Sequence, residues 1–105
     1  MKTIEYKGAT YPVDEEGFLL EADLWDSNWV DLIRVQEDID EMTEDHHEVL
    51  KLLRAYHQEQ GAPPRVRDMT TVTGFKLKYI YELFPSGPGK GACKMAGLPK
   101  PEGCA

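Results

Sequence analysis

TEDHHEVLKLLRAYHQEQG, residues 43–61, decides the kind of fold this chain can adopt. Thr43 is a side-chain acceptor suited to capping a helix N-terminus, and Glu44 and Asp45 place negative charge in the first turn, at the positive end of the helix dipole. Val49, Leu52, Leu53 and Tyr56 fall at i, i+3, i+4 and i+7 and form one apolar stripe. Gly61 supplies the stop. An amphipathic helix of this length needs neighbours for its stripe, and the flanking sequence supplies them.

Upstream, Ser27 is a candidate cap for a helix over about 28–37, with Trp29, Leu32, Ile33 and Gln36 on one side. Before it, residues 3–7 and 10–13 are short β-prone runs around Gly8-Ala9, a hairpin pattern. Asp14-Glu15-Glu16-Gly17 makes a turn, and Phe18-Leu19-Leu20 returns to the core. Downstream, Pro63-Pro64 opens a short helix over 65–72, with Pro64 in its first turn. After a turn at Thr73-Gly74, a further helix carries Leu77, Ile80, Tyr81 and Phe84, again at i, i+3, i+4 and i+7. Two short helices about a glycine turn have a helix-turn-helix look. The predicted fold is mainly α: a small helical bundle with a helix-turn-helix-like portion, an N-terminal β-hairpin and a flexible C-terminal arm. Residues 1–84 form the helical body and 85–105 the arm, within a single domain.

The arm reads PSGPGKGACKMAGLPKPEGCA. It holds both cysteines, Cys93 and Cys104, with five of the nine glycines and four of the seven prolines. That density of breakers predicts a mobile segment carrying a thiol near its end, with a turn or two of helix over 91–96 closed by Gly97. Residues 98–104, if extended, reach about 25 Å. Ten residues separate the cysteines. An internal disulfide is feasible on chain length, given Cα atoms about 4.4–6.8 Å apart. Lys90 and Lys94 favour a thiolate at Cys93, whereas Glu102 and the terminal carboxylate disfavour one at Cys104, with Lys100 a partial offset. The reactivity of Cys104 would then come from a partner's site.

Of 105 residues, 41% are hydrophobic, enough for a modest core, and the net charge is −7. Between Asp14 and Glu48 fourteen acids face a single base, Arg34; from Arg65 onward seven bases outnumber three acids. The acidic front half argues against wrapping nucleic acid or lying on an anionic membrane. With no apolar leader and no 18-residue apolar run, the expectation is a soluble cytoplasmic protein, without membrane insertion, whose thiols are kept reduced. His46, His47 and His57 lack metal-ligand spacing, so no metal site is expected. The second helix of the helix-turn-helix, FKLKYIYELF, offers few base-reading side chains, so no stable nucleic-acid binding is expected. A DNA-binding regulator and a plain two-thiol redox protein remain alternative readings. No phosphate loop, nucleophile elbow or paired-carboxylate motif occurs.

Over nearly its whole length the chain resembles the DsrC/TusE family of sulfur-carrier proteins, which includes the gamma subunit of dissimilatory sulfite reductase. The resemblance rests on VDEEGFL, EDHHEVLKLLRAYH, the Ala62–Arg67 turn and above all LFPSGPGKGAC and GLPKPEGCA. It implies that Cys104 carries sulfur as a persulfide or trisulfide and that Cys93 pairs with it to release reduced sulfur. Implied partners are the alpha and beta subunits of dissimilatory sulfite reductase, a membrane-bound thiol–disulfide reductase complex and sulfurtransferases. Sirohaem and iron–sulfur clusters belong to the partner; this chain is expected to hold no prosthetic group and to have no catalytic activity alone. The presence of Cys93 and the compact Gly74-Phe75-Lys76-Leu77 point to the branch that reduces sulfite. The alternative within the family is a persulfide relay in sulfur oxidation or tRNA 2-thiolation.

Overall fold

A computed structural model describes residues 2–103. β1 (Lys2–Tyr6) and β2 (Ala9–Val13) pair antiparallel, in register from Lys2 opposite Val13 to Tyr6 opposite Ala9. Their two-residue turn is Lys7-Gly8, one position earlier than expected, with φ of 49° and 83°. Positive φ at both positions matches the right-handed twist of the strands. The alternation of β2 sends Tyr11 and Val13 into the core.

α1 spans Ser27–Gln36 and α2 Glu44–Gln60. Asp26, not Ser27, caps α1: its carboxylate accepts from Trp29 N–H at 2.9 Å and from the Tyr11 hydroxyl at 2.6 Å. Burial and this bond push the Tyr11 hydroxyl up to about 12. The buried arc of α1 is Trp29, Val30, Leu32 and Ile33, while Gln36 is exposed. α2 begins and ends where the sequence placed it, capped by Thr43 and closed by Gly61. Its core face is His46, Val49, Leu50 and Leu53, with Leu52 and Tyr56 only half-buried.

The expected helix over 65–72 is instead a single 3₁₀ turn, Val66–Asp68, followed by α3 (Met69–Thr73). Arg65 is extended, with ψ of 155°, which keeps Pro64 outside the helix. α4 (Leu77–Leu83) buries Ile80 and Leu83, whereas Leu77 and Tyr81 are exposed. Phe84 reaches the core after leaving helical geometry, with φ −129° and ψ 96°, so a straight helical stripe does not describe this end. The Tyr81 ring covers the backbone at Gly87 rather than the core. The layout is mainly helical, with the hairpin laid against α1. Among the described residues, no helix is long and apolar enough to cross a membrane.

Asp31 ties the hairpin to α1. It accepts from Tyr6 Oη at 2.6 Å, Lys7 Nζ at 3.1 Å and Arg34 Nε at 3.0 Å. The Tyr6 hydroxyl, then Lys7 and Arg34, hold its carboxyl well below the usual carboxylate range. A depressed folded-state pKa gives stability that is present above the unfolded value, about 4, and is lost as pH falls through the folded one. Asp31→Asn should therefore melt below the parent at neutral pH, and the gap should narrow as pH drops below about 4. Thermal melts across that range test it, and a gap independent of pH would exclude the charge as its source.

Candidate functional site

The breaker-rich segment folds. A π-helix, Pro88–Cys93, runs into a helical turn that ends at Gly97, and Pro88, Gly89, Gly91, Ala92, Cys93, Met95, Ala96 and Leu98 are buried. An arm separating from the body at residue 85 is thus corrected: the body extends to Leu98. The physical reason is the small size of these residues. A Cβ on Gly91 would stand 2.9 Å from Phe84 Cβ and 3.0 Å from Glu37 Oε1, so the backbone lies where a side chain could not. Pro88 occupies the start of the helix, where a missing N–H costs nothing. Glu37 fastens the entry by accepting from Ser86 N–H at 2.8 Å and Ser86 Oγ at 2.6 Å.

The exit is held more firmly. The last carbonyls of a helix have no partners within it. Here Trp29 Nε1 donates to Lys94 O at 2.8 Å, Trp25 Nε1 to Met95 O at 2.9 Å, and Arg54 Nη1 to Ala96 O at 2.8 Å. The Arg54 guanidinium also lies 4.1 Å from the centroid of the Trp25 ring. Gly97, at φ 76°, leaves no space for a Cβ, which would meet Trp25 at 2.7 Å. Two indoles and one guanidinium thereby form a clamp on residues 94–97.

Cys93 is the last residue of the π-helix and has no exposed surface. Single π-turns concentrate at functional sites, because they displace a side chain from the α register. Lys94 was expected to stabilise a thiolate at Cys93. Its ammonium is committed elsewhere, donating to Glu16 O at 2.9 Å and standing 4.9 Å from the Phe18 ring centroid.

Beyond the clamp the chain is pinned to the body's surface. Lys100 Nζ lies 3.0 Å from both carboxylate oxygens of Glu16, Pro101 is buried, and Val66 N–H donates to Glu102 O at 3.2 Å. Gly103 rests beside Val66. Cys104, the other candidate site residue, lies outside the described residues. His46 cannot serve as a metal ligand, since both ring nitrogens are taken: Nδ1 accepts from Thr43 N–H at 3.0 Å and Nε2 donates to Leu83 O at 2.8 Å. Trp25, Trp29, Arg54 and Glu37 were not singled out as site residues from sequence. The i, i+4 spacing of the two tryptophans was the available signal for the clamp.

The chain matches known proteins along its whole length. It is 52% identical over 104 residues to the sulfite reductase, dissimilatory-type subunit gamma of Nitratidesulfovibrio vulgaris (strain Hildenborough), covering 99% of each chain. It is 35% identical over 108 residues to the sulfurtransferase TusE of Pectobacterium atrosepticum, covering 96% of this chain and 98% of the relative. In structure it resembles a chain in the crystal structure of dissimilatory sulfite reductase I, with a TM-score of 0.89 and 49% identity, covering 99% of this chain and 100% of that one. The family model for DsrC-like proteins matches residues 5–105, from the hairpin through the clamped helix to both cysteines, and the chain belongs to that family.

Proposed function

We propose that this protein is a sulfur carrier and co-substrate of a dissimilatory sulfite reductase, holding sulfur on Cys104 and releasing it through a disulfide with Cys93. The observation that carries the reading is the division of the C-terminal segment. A clamped helix fixes Cys93 within the core, and a short surface tail leads from that helix to Cys104. The 52% identity to a dissimilatory-type gamma subunit supports the same assignment. The partners are the reductase alpha and beta subunits, whose sirohaem and iron–sulfur clusters supply the redox chemistry; this chain supplies thiols.

Release runs as thiol–disulfide exchange. The Cys93 thiolate attacks Sγ of a Cys104 persulfide, forming the Cys93–Cys104 bond. The bond from Cys104 to the outer sulfur breaks, and that sulfur leaves as hydrosulfide. Two electrons and two protons from a membrane-bound thiol–disulfide reductase then restore both thiols. A second reading, a persulfide relay to or from sulfurtransferases, is favoured by the 35% identity to TusE. It makes no demand on Cys93.

Cys93→Ala separates the two. In the favoured reading the variant loads sulfur but releases it at least about tenfold more slowly, because an external thiol must replace a tethered one. Intact-mass spectrometry followed over time after loading measures it. Release as fast as in the parent would discard the internal disulfide and leave the relay.

A further inference from the structure

The turn at residues 14–17 belongs to VDEEGFL, a stretch that the thiol chemistry leaves without a role. Its backbone closes on itself. One carboxylate oxygen of Asp14 accepts from Glu16 N–H and Phe18 N–H, both at 2.9 Å, and Asp14 O accepts from Gly17 N–H at 3.0 Å. Gly17 supplies a φ of 88°, and Phe18 anchors the turn in the interior. The carbonyl and the carboxylate of Glu16 are both taken by the C-terminal segment. The carbonyl accepts from Lys94 Nζ at 2.9 Å, on the clamped helix before the bend at Gly97. The carboxylate holds Lys100 Nζ at 3.0 Å from each oxygen, on the tail after that bend. One residue of a closed turn thus grips the chain on both sides of the point where helix becomes tail.

The next two residues of the tail are held as well: Pro101 is buried, and Glu102 O accepts from Val66 N–H at 3.2 Å. We propose that Glu16 is an ionic latch, a positioning residue that sets the direction in which the tail leaves Gly97 and the fraction of molecules in which residues 100–103 are seated on the body. The latch is built to open alone. Lys94 binds the backbone of residue 16, so the turn keeps its place on the helix when the Lys100 contact is lost. The Lys100 and Glu16 side chains are 28% and 46% exposed, which makes their pair modest in strength and open to screening by salt. The latch stands on this geometry; its bearing on sulfur delivery rests on the sulfur-carrier reading.

The Val66 amide reports the seated tail, because its acceptor is Glu102 O. Its hydrogen exchange is followed by NMR in the full, reduced chain. Glu16→Gln should speed that exchange about threefold at low salt, within the range for a partly exposed pair. Lys100→Met should match it, and the double variant should be no faster than either, because both remove one contact. In 1 M sodium chloride, where the screening length is about 3 Å, the parent should approach the variants. Two controls should stay unmoved: Val66 in Glu15→Gln, an exposed acid of the same turn, and in every variant the Gly74 amide, which is bonded to Thr70 O at the end of α3. An unmoved Val66 amide in Glu16→Gln overturns the latch, and so does a double variant whose acceleration is the product of the singles. Sulfur uptake, measured by mass on the same proteins, keeps the two ideas apart. Faster exchange at Val66 in a chain that never takes up sulfur refutes the carrier and leaves the latch standing; uptake with Val66 unmoved does the reverse.

Discussion

A Cys104→Ala variant should take up no sulfur at all, whereas the parent becomes heavier by one sulfur atom or more under the same loading conditions. The expectation rests on accessibility. Cys93 has no exposed surface and lies in a helix whose far end is clamped by three side-chain donors, so it cannot travel to a donor site. Cys104 follows a tail held by the buried Pro101, one carbonyl bond and one surface ion pair. A single exposed pair is worth at most about 1 kcal/mol, so that tail is held less firmly than the clamped helix. The helical body should keep its circular dichroism spectrum in reducing buffer. Full loading of the variant on Cys93 would reverse the assignment of carrier and releasing thiol.

Trp29→Ala should cost about 3–5 kcal/mol of folding stability, the range for deleting a large buried aromatic. Trp29 is fully buried, its ring centroid is 5.2 Å from that of Tyr11, and its indole N–H caps Lys94 O. Trp29→Phe isolates the polar part of this loss. It keeps most of the apolar contact but leaves a carbonyl without its donor, for a cost of about 1–3 kcal/mol. Urea unfolding of both variants, beside Val35→Ala on the exposed face of α1, measures the difference. If Trp29→Ala lost no more than Val35→Ala, the indole would not be a structural clamp.

How far sequence alone reaches varies along the chain. α2 was legible to the residue at both ends, because its cap, acidic first turn and terminal glycine all agree with its apolar stripe. α4 was legible as an element but not in its facing: Tyr81 leaves the stripe to cover Gly87, and Phe84 enters the core from outside the helix. α1 was capped one residue earlier than Ser27 because Asp26 is also bound by Tyr11, from a strand fifteen residues away. That is a tertiary contact, and no local rule contains it. The mobility expected of segment 85–98 was the largest misreading, although the turn of helix closed by Gly97 within it was legible. Gly and Pro disfavour a helix when nothing else touches it, and here Phe84, Glu37, Trp25, Trp29 and Arg54 all do. The resemblance carried by the two-cysteine ending identified the family, whereas the clamp that fixes one of those cysteines became visible only in three dimensions.

The clamp also sets a chemical quantity. Had the whole segment been loose, ten flexible residues would separate the two thiols. With the tail lifted from the surface but Leu98 still buried and its N–H bonded to Cys93 O at 3.0 Å, only five, residues 99–103, lie between an anchored backbone and Cys104. The entropy of closing a flexible loop grows as three-halves of the logarithm of its length, so halving the loop raises the effective concentration of one thiol at the other about threefold. That gain favours the internal disulfide over mixed disulfides with glutathione, without any change in the intrinsic reactivity of either sulfur. Two indoles and an arginine, none of them bearing sulfur, would thereby bias the redox equilibrium of the pair.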